Sequence, residues 1–217
     1  MQYSSRDQRF SLKIRDFIWT SDKTLTESFC QKCIDKFELD PRKYEGQVGA
    51  GEVKENIKKT YDLNISGLLE WEEEDGIFFK SLDKSIKKYC LDLRTLSEDK
   101  LRIDDLYEQY DINDTGYQIQ RYEPDGFYDW HNDFQVHPEA GSRIFTYIWY
   151  LNTIKKNQGG YTEFLDGTKV QPKAGRLVLF PATWNYMHRG FPPSGTNKYI
   201  CTGWVHSKFK SQNPENQ

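Results

Sequence analysis

In the stretch "YEPDGFYDWHND", residues 122 to 133, His131 and Asp133 stand two apart. On a β-strand such residues point to the same face, so an imidazole nitrogen and a carboxylate oxygen can reach one ion. Only four histidines exist in the chain, so a third histidine ligand is His137, His188 or His206. His188 lies in "TWNYMHRGFPPSG", after the apolar run "RLVLFP" and before a turn, which suits the rim of a sheet. His137 would have to loop back from "QVHPEA", and His206 sits near the polar C-terminus. Two histidines and one carboxylate on one face of an octahedron leave three positions open, as a non-haem Fe(II) centre needs for a co-substrate and dioxygen. A zinc-activated water is the competing chemistry.

An acidic co-substrate such as 2-oxoglutarate would chelate the metal through its keto-acid end and leave a second carboxylate for a cation deeper in the pocket. Lys198, ten residues past His188 and on the next strand, is well placed. The bland alternative is a lysine that snorkels to solvent. Arg189 is the rival cation, but as the neighbour of His188 on an extended segment it should point the other way.

The elements that position these residues change character along the chain. From Tyr117 onward, "YQIQRYE", "RIFTYIWYLN", "GYTEF", "GRLVLFP" and "KYICTGWV" read as short strands between turns, the spacing of a barrel or two-sheet sandwich. The first third reads as helical. Thr24 and Glu27 make a capping-box pattern for a helix running to about Leu39, with Leu25, Phe29, Cys30, Cys33 and Phe37 at helical spacing. A second helix is expected in "GIFFKSLDKSIKKYCLDL", where Phe78, Leu82, Ile86, Tyr89 and Leu93 form one stripe. Residues 40 to 65 are polar and glycine-containing and read as a long mobile loop, able to order over the pocket. The polar end "KSQNPENQ" reads as disordered.

A chain of 217 residues can bury a sizeable core without help from metals or disulfides. Thirty basic against thirty-three acidic residues, a formal charge of -3, argue against a general nucleic-acid binder. Four cysteines are too sparse for a disulfide scaffold, and Cys30-x-x-Cys33 reads as core packing. With no apolar signal core in "MQYSSRDQRF" and no run of membrane-spanning length, the expectation is a cytoplasmic protein with no membrane partner. The sequons at Asn64 and Asn113 then read as chance matches.

From Tyr117 to Val205 the sequence resembles the prolyl 4-hydroxylase branch of the 2-oxoglutarate and Fe(II)-dependent oxygenases. The matches in register are Tyr122, Gly126 and Tyr128 before His131, then Asp133, His188, Lys198 and Trp204. Between them lie Arg143, the Tyr150-Leu151 strand and the Gly-Gly-x-Thr turn ending at Thr162. The resemblance implies an α+β, mainly β fold: a double-stranded β-helix (jelly-roll) core over 101–210, supported by helices and the loop within 1–100, as one domain with a disordered tail at 211–217. It implies His131, Asp133 and His188 as ligands of Fe(II). It also implies Tyr122, Thr162 and Lys198 on the distal carboxylate of 2-oxoglutarate, and Tyr128, Arg143 and Trp204 on the substrate side.

The activity so implied is a dioxygenase reaction consuming O2 and 2-oxoglutarate, with ascorbate as reductant, that hydroxylates an unactivated C–H bond. Its expected target is a prolyl residue of a protein or peptide, at the 4-position. The alternatives are a free amino acid or other small molecule, or a non-catalytic β-helix module that kept the pocket. Trp130, on the opposite face from His131, needs no more than packing, and Asp129 shares the parity of His131. Nothing in the sequence fixes an oligomeric state.

Overall fold

A computed structural model of the chain describes residues 13–49 and 51–210. The tail expected to be disordered, 211–217, lies outside the described residues, as do residues 1–12. Fifteen strands are described: β1 Trp19–Ser21, β2 Tyr44–Glu45, β3 Gln47–Val48, β4 Glu52–Val53, β5 Tyr61–Asn64, β6 Tyr110–Asp114, β7 Gln118–Tyr122, β8 Tyr128–His131, β9 Val136–His137, β10 Gly141–Tyr150, β11 Thr162–Phe164, β12 Lys169–Val170, β13 Arg176–Pro181, β14 His188–Gly190 and β15 Lys198–Phe209. The two long helices are α1 Glu27–Leu39 and α2 Glu72–Leu96.

The fold is mainly β, with a jelly-roll arrangement of two facing antiparallel sheets. The major sheet runs β1-β13-β10-β15-β7-β5-β2, with β6 added on β15 and β9 on β10. The minor sheet runs β12-β11-β14-β8, and β3 and β4 form a separate hairpin.

Period-two alternation splits each central strand of the major sheet between two environments. Tyr117, Ile119, Tyr147, Trp149, Leu177, Leu179 and Cys201 face outward into a core shared with the helices. That core receives the predicted α2 stripe of Phe78, Leu82, Ile86, Tyr89 and Leu93, together with Cys30, Cys33 and Phe37 of α1. Cys30 and Cys33 are buried and form no disulfide among the described residues, so the CxxC pattern serves packing. The opposite faces of β7, β10 and β15 line a cavity between the sheets.

Three local expectations need correction. The cap of α1 is Thr26, whose hydroxyl accepts from the Phe29 amide at 3.2 Å. Thr24, the expected cap, instead donates to the Gly175 carbonyl and accepts from Trp149 Nε1, each at 3.0 Å. Helix α2 begins at Glu72, ahead of the predicted start, and carries Glu72, Glu73, Glu74 and Asp75 in its first turn, where the helix dipole favours negative charge.

The third correction concerns residues 40–65, which are not one irregular loop. Backbone bonds Lys59 N to Phe127 O and Asp129 N to Ile57 O, both 2.8 Å, lay 57–59 along the edge of the minor sheet. The chain then crosses to the major sheet, where β5 pairs with β7. The segment looks like a loop because β5 is inverted relative to a surface strand. Leu63 faces the helix core, whereas Asp62 and Asn64 face the cavity, so its polar residues mark a lined pocket and not solvent. Among the described residues no helix is long and apolar enough to cross a membrane.

Candidate active site

His131 ends β8 and His188 begins β14, and the two are direct cross-strand partners. Opposite residues on one face bring their Cβ atoms to about 5 Å, which places the ring centroids 4.2 Å apart. Asp133 lies beyond the end of β8, so strand alternation does not aim it. The Thr146 hydroxyl on β10 holds Asp133 Oδ2 at 2.8 Å, and Arg143 Nη1 reaches the Asp133 carbonyl at 3.3 Å. Asp133 Oδ1 is then 4.0 Å from His131 Nε2, and Oδ2 is 3.6 Å from His188 Nε2. Ligand atoms of the three residues all lie within 4.8 Å of one another.

Protonation is set for binding a cation. His131 Nδ1 donates to the Asp129 carbonyl at 2.7 Å and His188 Nδ1 to the Tyr186 carbonyl at 3.0 Å, so each Nε2 lone pair is turned toward the cluster. Burial, reinforced by His188, lowers the His131 pKa to about 3, which keeps the ring neutral. Burial alone would raise Asp133, but the two imidazoles, Thr146 and Arg143 outweigh it and hold the carboxyl below its usual range. A buried N/N/O set with fixed tautomers fits a divalent first-row metal. His137 is exposed and accepts from the Glu139 and Ala140 amides, and His206 is the cross-strand partner of Arg143. Neither joins the cluster.

A cavity of about 450 Å³ extends from the cluster between the sheets. At one side Lys198 is 1 % exposed, 4.1 Å above the ring of its cross-strand partner Tyr122. Lys198 forms no ion pair among the described residues, and burial lowers its pKa to about 7. Thr162, from the minor sheet, accepts from the Tyr150 hydroxyl at 2.6 Å. The rival Arg189 points away as alternation requires: it pairs with Glu163 at 2.6 Å and lies 4.7 Å from the Trp130 ring. Trp130 thus packs under a cation on the outer face.

On the other side Tyr128 stacks on His131 at 3.6 Å. Arg143 sits 3.6 Å over the Trp204 ring, and Arg143 Nε and Trp204 Nε1 are buried without hydrogen-bond partners among the described residues. Arg143 reaches this face only because of a β-bulge. Its partner is His206 while Phe145 pairs with Val205, so one extra residue in β10 reverses the parity between Arg143 and Thr146.

Residues 117–206 match the 2OG-Fe(II) oxygenase superfamily. The chain carries a 2-oxoglutarate/Fe(II) oxygenase domain. The cofactors of this family are Fe(II), 2-oxoglutarate and O2. Its fold is similar to that of the viral collagen prolyl hydroxylase of Paramecium Bursaria Chlorella virus-1, at 18% identity, TM-score 0.57, covering 88% of this chain and 96% of that one. It is also similar to a Pseudomonas putida prolyl-4-hydroxylase, at 17% identity and TM-score 0.60, over 88% and 92% of the two chains. A Trichoplax adhaerens prolyl hydroxylase in complex with a hypoxia inducible factor peptide fragment gives 17% identity and TM-score 0.65, over 88% and 83%. No curated protein matches the chain by sequence.

Thr146, Lys58 and Asp62, which the sequence does not single out, line the cavity, and Tyr150, matched there only as part of a strand, stands behind Thr162. Thr146 orients Asp133, and Tyr150 orients Thr162. Lys58 and Asp62 form an ion pair at 2.6 Å, 4% and 1% exposed, where the chain crosses between the sheets beside Tyr128. Thr146 and Tyr150 share inward parity on "RIFTYIWYLN", a signal present in the sequence. The Lys58–Asp62 pair gave none, because its burial depends on the crossing.

Proposed function

We propose that this oxygenase hydroxylates an unactivated C–H bond of a prolyl residue in a peptide or protein, at the 4-position. The observation that carries the oxygenase reading to these residues is Lys198: a buried cation without a counter-ion among the described residues, in the same cavity as a two-histidine, one-carboxylate cluster. His131, Asp133 and His188 would hold Fe(II), which supplies the activation of O2 and oxidative decarboxylation of 2-oxoglutarate. Lys198, Thr162 and Tyr122 would hold the distal carboxylate, with Lys198 supplying charge and the two hydroxyls direction. Tyr128, Arg143 and Trp204 would receive the substrate, the aromatic faces packing on a ring and the unpartnered Arg143 Nε and Trp204 Nε1 donating to a carbonyl.

The prolyl target rests on fold likeness to prolyl hydroxylases and on this aromatic, donor-bearing wall. A free amino acid is the second reading, favoured by the polar side chains Asn64, Gln118 and Gln120 in the cavity. Ascorbate as reductant, a cytoplasmic location and a single domain over 1–210 belong to the same proposal. The test is a mass-spectrometric screen of proline-containing peptides, free amino acids and cell lysate with Fe(II), 2-oxoglutarate and ascorbate. Addition of one oxygen to a peptidyl proline with matching succinate release is the expected result. Oxidation confined to free amino acids would replace the prolyl reading, and no succinate under any condition would remove the oxygenase assignment of these residues.

A further inference from the structure

The inward face of β7 is unusual for a sheet interior. Its "QIQRY" alternation sends Ile119 into the helix core and turns Gln118, Gln120 and Tyr122 into the cavity. Gln120 is 4% exposed. An amide buried to that degree is costly unless its donors and acceptor are all met, and an apolar residue would fill the space more cheaply. The amides are met by one another. The Tyr122 hydroxyl donates to Gln120 Oε1 at 3.1 Å, and Gln120 Nε2 donates to Gln118 Oε1 at 2.5 Å. Gln118 Nε2 in turn donates to Asn64 Oδ1 at 2.9 Å and to the Tyr44 hydroxyl at 3.0 Å. A continuous chain of side chains therefore joins the phenol beside Lys198 to a second phenol, Tyr44, on β2.

Such a chain has two directions. In the one just described the single Tyr122 proton is committed to Gln120, and only lone pairs face the cavity. A half-turn of the amides reverses every bond: the Tyr44 hydroxyl donates to Gln118, Gln118 to Gln120, and Gln120 to the Tyr122 oxygen. The Asn64 amide turns with them, so that its Nδ2 donates to Gln118 Oε1; no heavy atom then loses its partner, no proton leaves its oxygen or nitrogen, and the Tyr122 O–H becomes free to donate into the pocket. Burial, with Asp62 next, pushes the Tyr122 phenol well up, so it stays a donor. The ring itself cannot swing away, because Lys198 covers one face and Gly190 approaches closely. A Cβ at Gly190 would stand 3.1 Å from Tyr122 Cε1 and 3.3 Å from its hydroxyl.

We propose that Gln118 and Gln120 are positioning residues: a reversible hydrogen-bond relay from Tyr44 that turns the Tyr122 hydroxyl toward the carboxylate of the bound co-substrate. This rests on the reading above that Tyr122 and Lys198 hold 2-oxoglutarate. In that state the polar interior of β7 is explained, since a fixed donor is available exactly where the anion arrives only if the amides can reverse behind it.

The test measures 2-oxoglutarate affinity by calorimetry on the Fe(II)-loaded full chain under anaerobic conditions, so that no turnover is read. Far-UV circular dichroism and thermal unfolding serve as controls for folding. Tyr122→Phe should weaken binding about tenfold or more, the value of one hydrogen bond to a charged group. Gln120→Met should weaken it by a similar factor, and the two together no more than either alone. Gln120→Glu, which can only accept when ionised, should be worse than Gln120→Met. Tyr44→Phe, remote from the co-substrate along the chain of bonds, should still cost about twofold, an effect that a packing role for the relay would not produce. If Tyr122→Phe weakens binding while Gln120→Met and Tyr44→Phe leave it unchanged in folded protein, the relay is wrong and the co-substrate site stands. If Tyr122→Phe itself has no effect, the placement of the co-substrate is wrong and the relay falls with it.

Discussion

Lys198 and Tyr122 are cross-strand partners on β15 and β7, with the ammonium 4.1 Å above the phenol ring and no carboxylate paired with it among the described residues. A cation in that state is poised for an anion. Lys198→Ala should keep its iron but lose about 2 to 5 kcal/mol of 2-oxoglutarate binding, by analogy with other buried charge pairs. That is a rise of about thirtyfold or more in KM for 2-oxoglutarate. Lys198→Arg should be partly tolerated, and Arg189→Ala, which removes a partner of Glu163 on the outer face, should change KM little. Succinate release across a 2-oxoglutarate titration compares the three, and a large shift in Arg189→Ala alone would reassign the anchor.

The same burial predicts a pH dependence. With its pKa lowered to about 7, Lys198 in the unloaded protein is protonated at pH 6 and mostly neutral above pH 8. The anion binds the charged form, so 2-oxoglutarate affinity should fall as pH rises from 6 to 9, and binding near pH 8 should take up a proton. Calorimetry in buffers of different ionisation enthalpy reads that uptake. For stability the sign is opposite to that of a paired lysine. Between about pH 7 and 10 the unfolded chain binds more protons at this position than the folded one, so this residue's contribution to unloaded stability rises with pH through that window.

His131→Ala, Asp133→Ala and His188→Ala should each abolish iron binding and turnover while leaving the circular dichroism spectrum intact, because the outward core does not involve the cluster. His137→Ala and His206→Ala should retain iron. Iron content per chain after gel filtration is the readout, and full occupancy in any of the first three would remove that residue from the set.

Breaking the Lys58–Asp62 pair should cost more than removing it. Lys58→Met leaves a carboxylate that burial already pushes upward, and should lower unfolding stability by about 3 to 5 kcal/mol. Lys58→Met combined with Asp62→Leu should recover much of that loss. Urea denaturation of the single and double variants decides it. A single variant as stable as the native chain would show that the crossing between the sheets does not depend on the pair.

Hydrogen exchange should divide residues 40–65 into two. Amides of β5, paired on β7, should exchange slowly in all states, whereas the β3–β4 hairpin, whose Gln47, Val48 and Gly49 line the cavity, should exchange fast and slow down when a substrate peptide is present. Equal protection of the hairpin in both states would count against closure over the pocket.

The sequence by itself determined the chemistry available and most of the faces. The types His131, Asp133, His188 and Lys198 name a metal and an anion, and the helical stripe of α2 and the alternation of β7 and β15 follow from backbone periodicity, which is local. What the tertiary structure decided is everything that depends on which strand lies beside which. His131 meets His188 because β8 pairs with β14 in one register; a slip of one residue would turn one of the two rings to the outer face. Asp133 is aimed by Thr146 from another strand, and Arg143 enters the pocket through a bulge that no periodicity foretells. The inversion of β5, beside the buried Lys58–Asp62 pair, looks like a loop in the sequence because hydrophobicity marks the inside of a protein only where the inside is dry. Facing a polar cavity, Asp62, Asn64, Gln118 and Gln120 follow the opposite rule, and only the three-dimensional pairing of the strands says which rule applies.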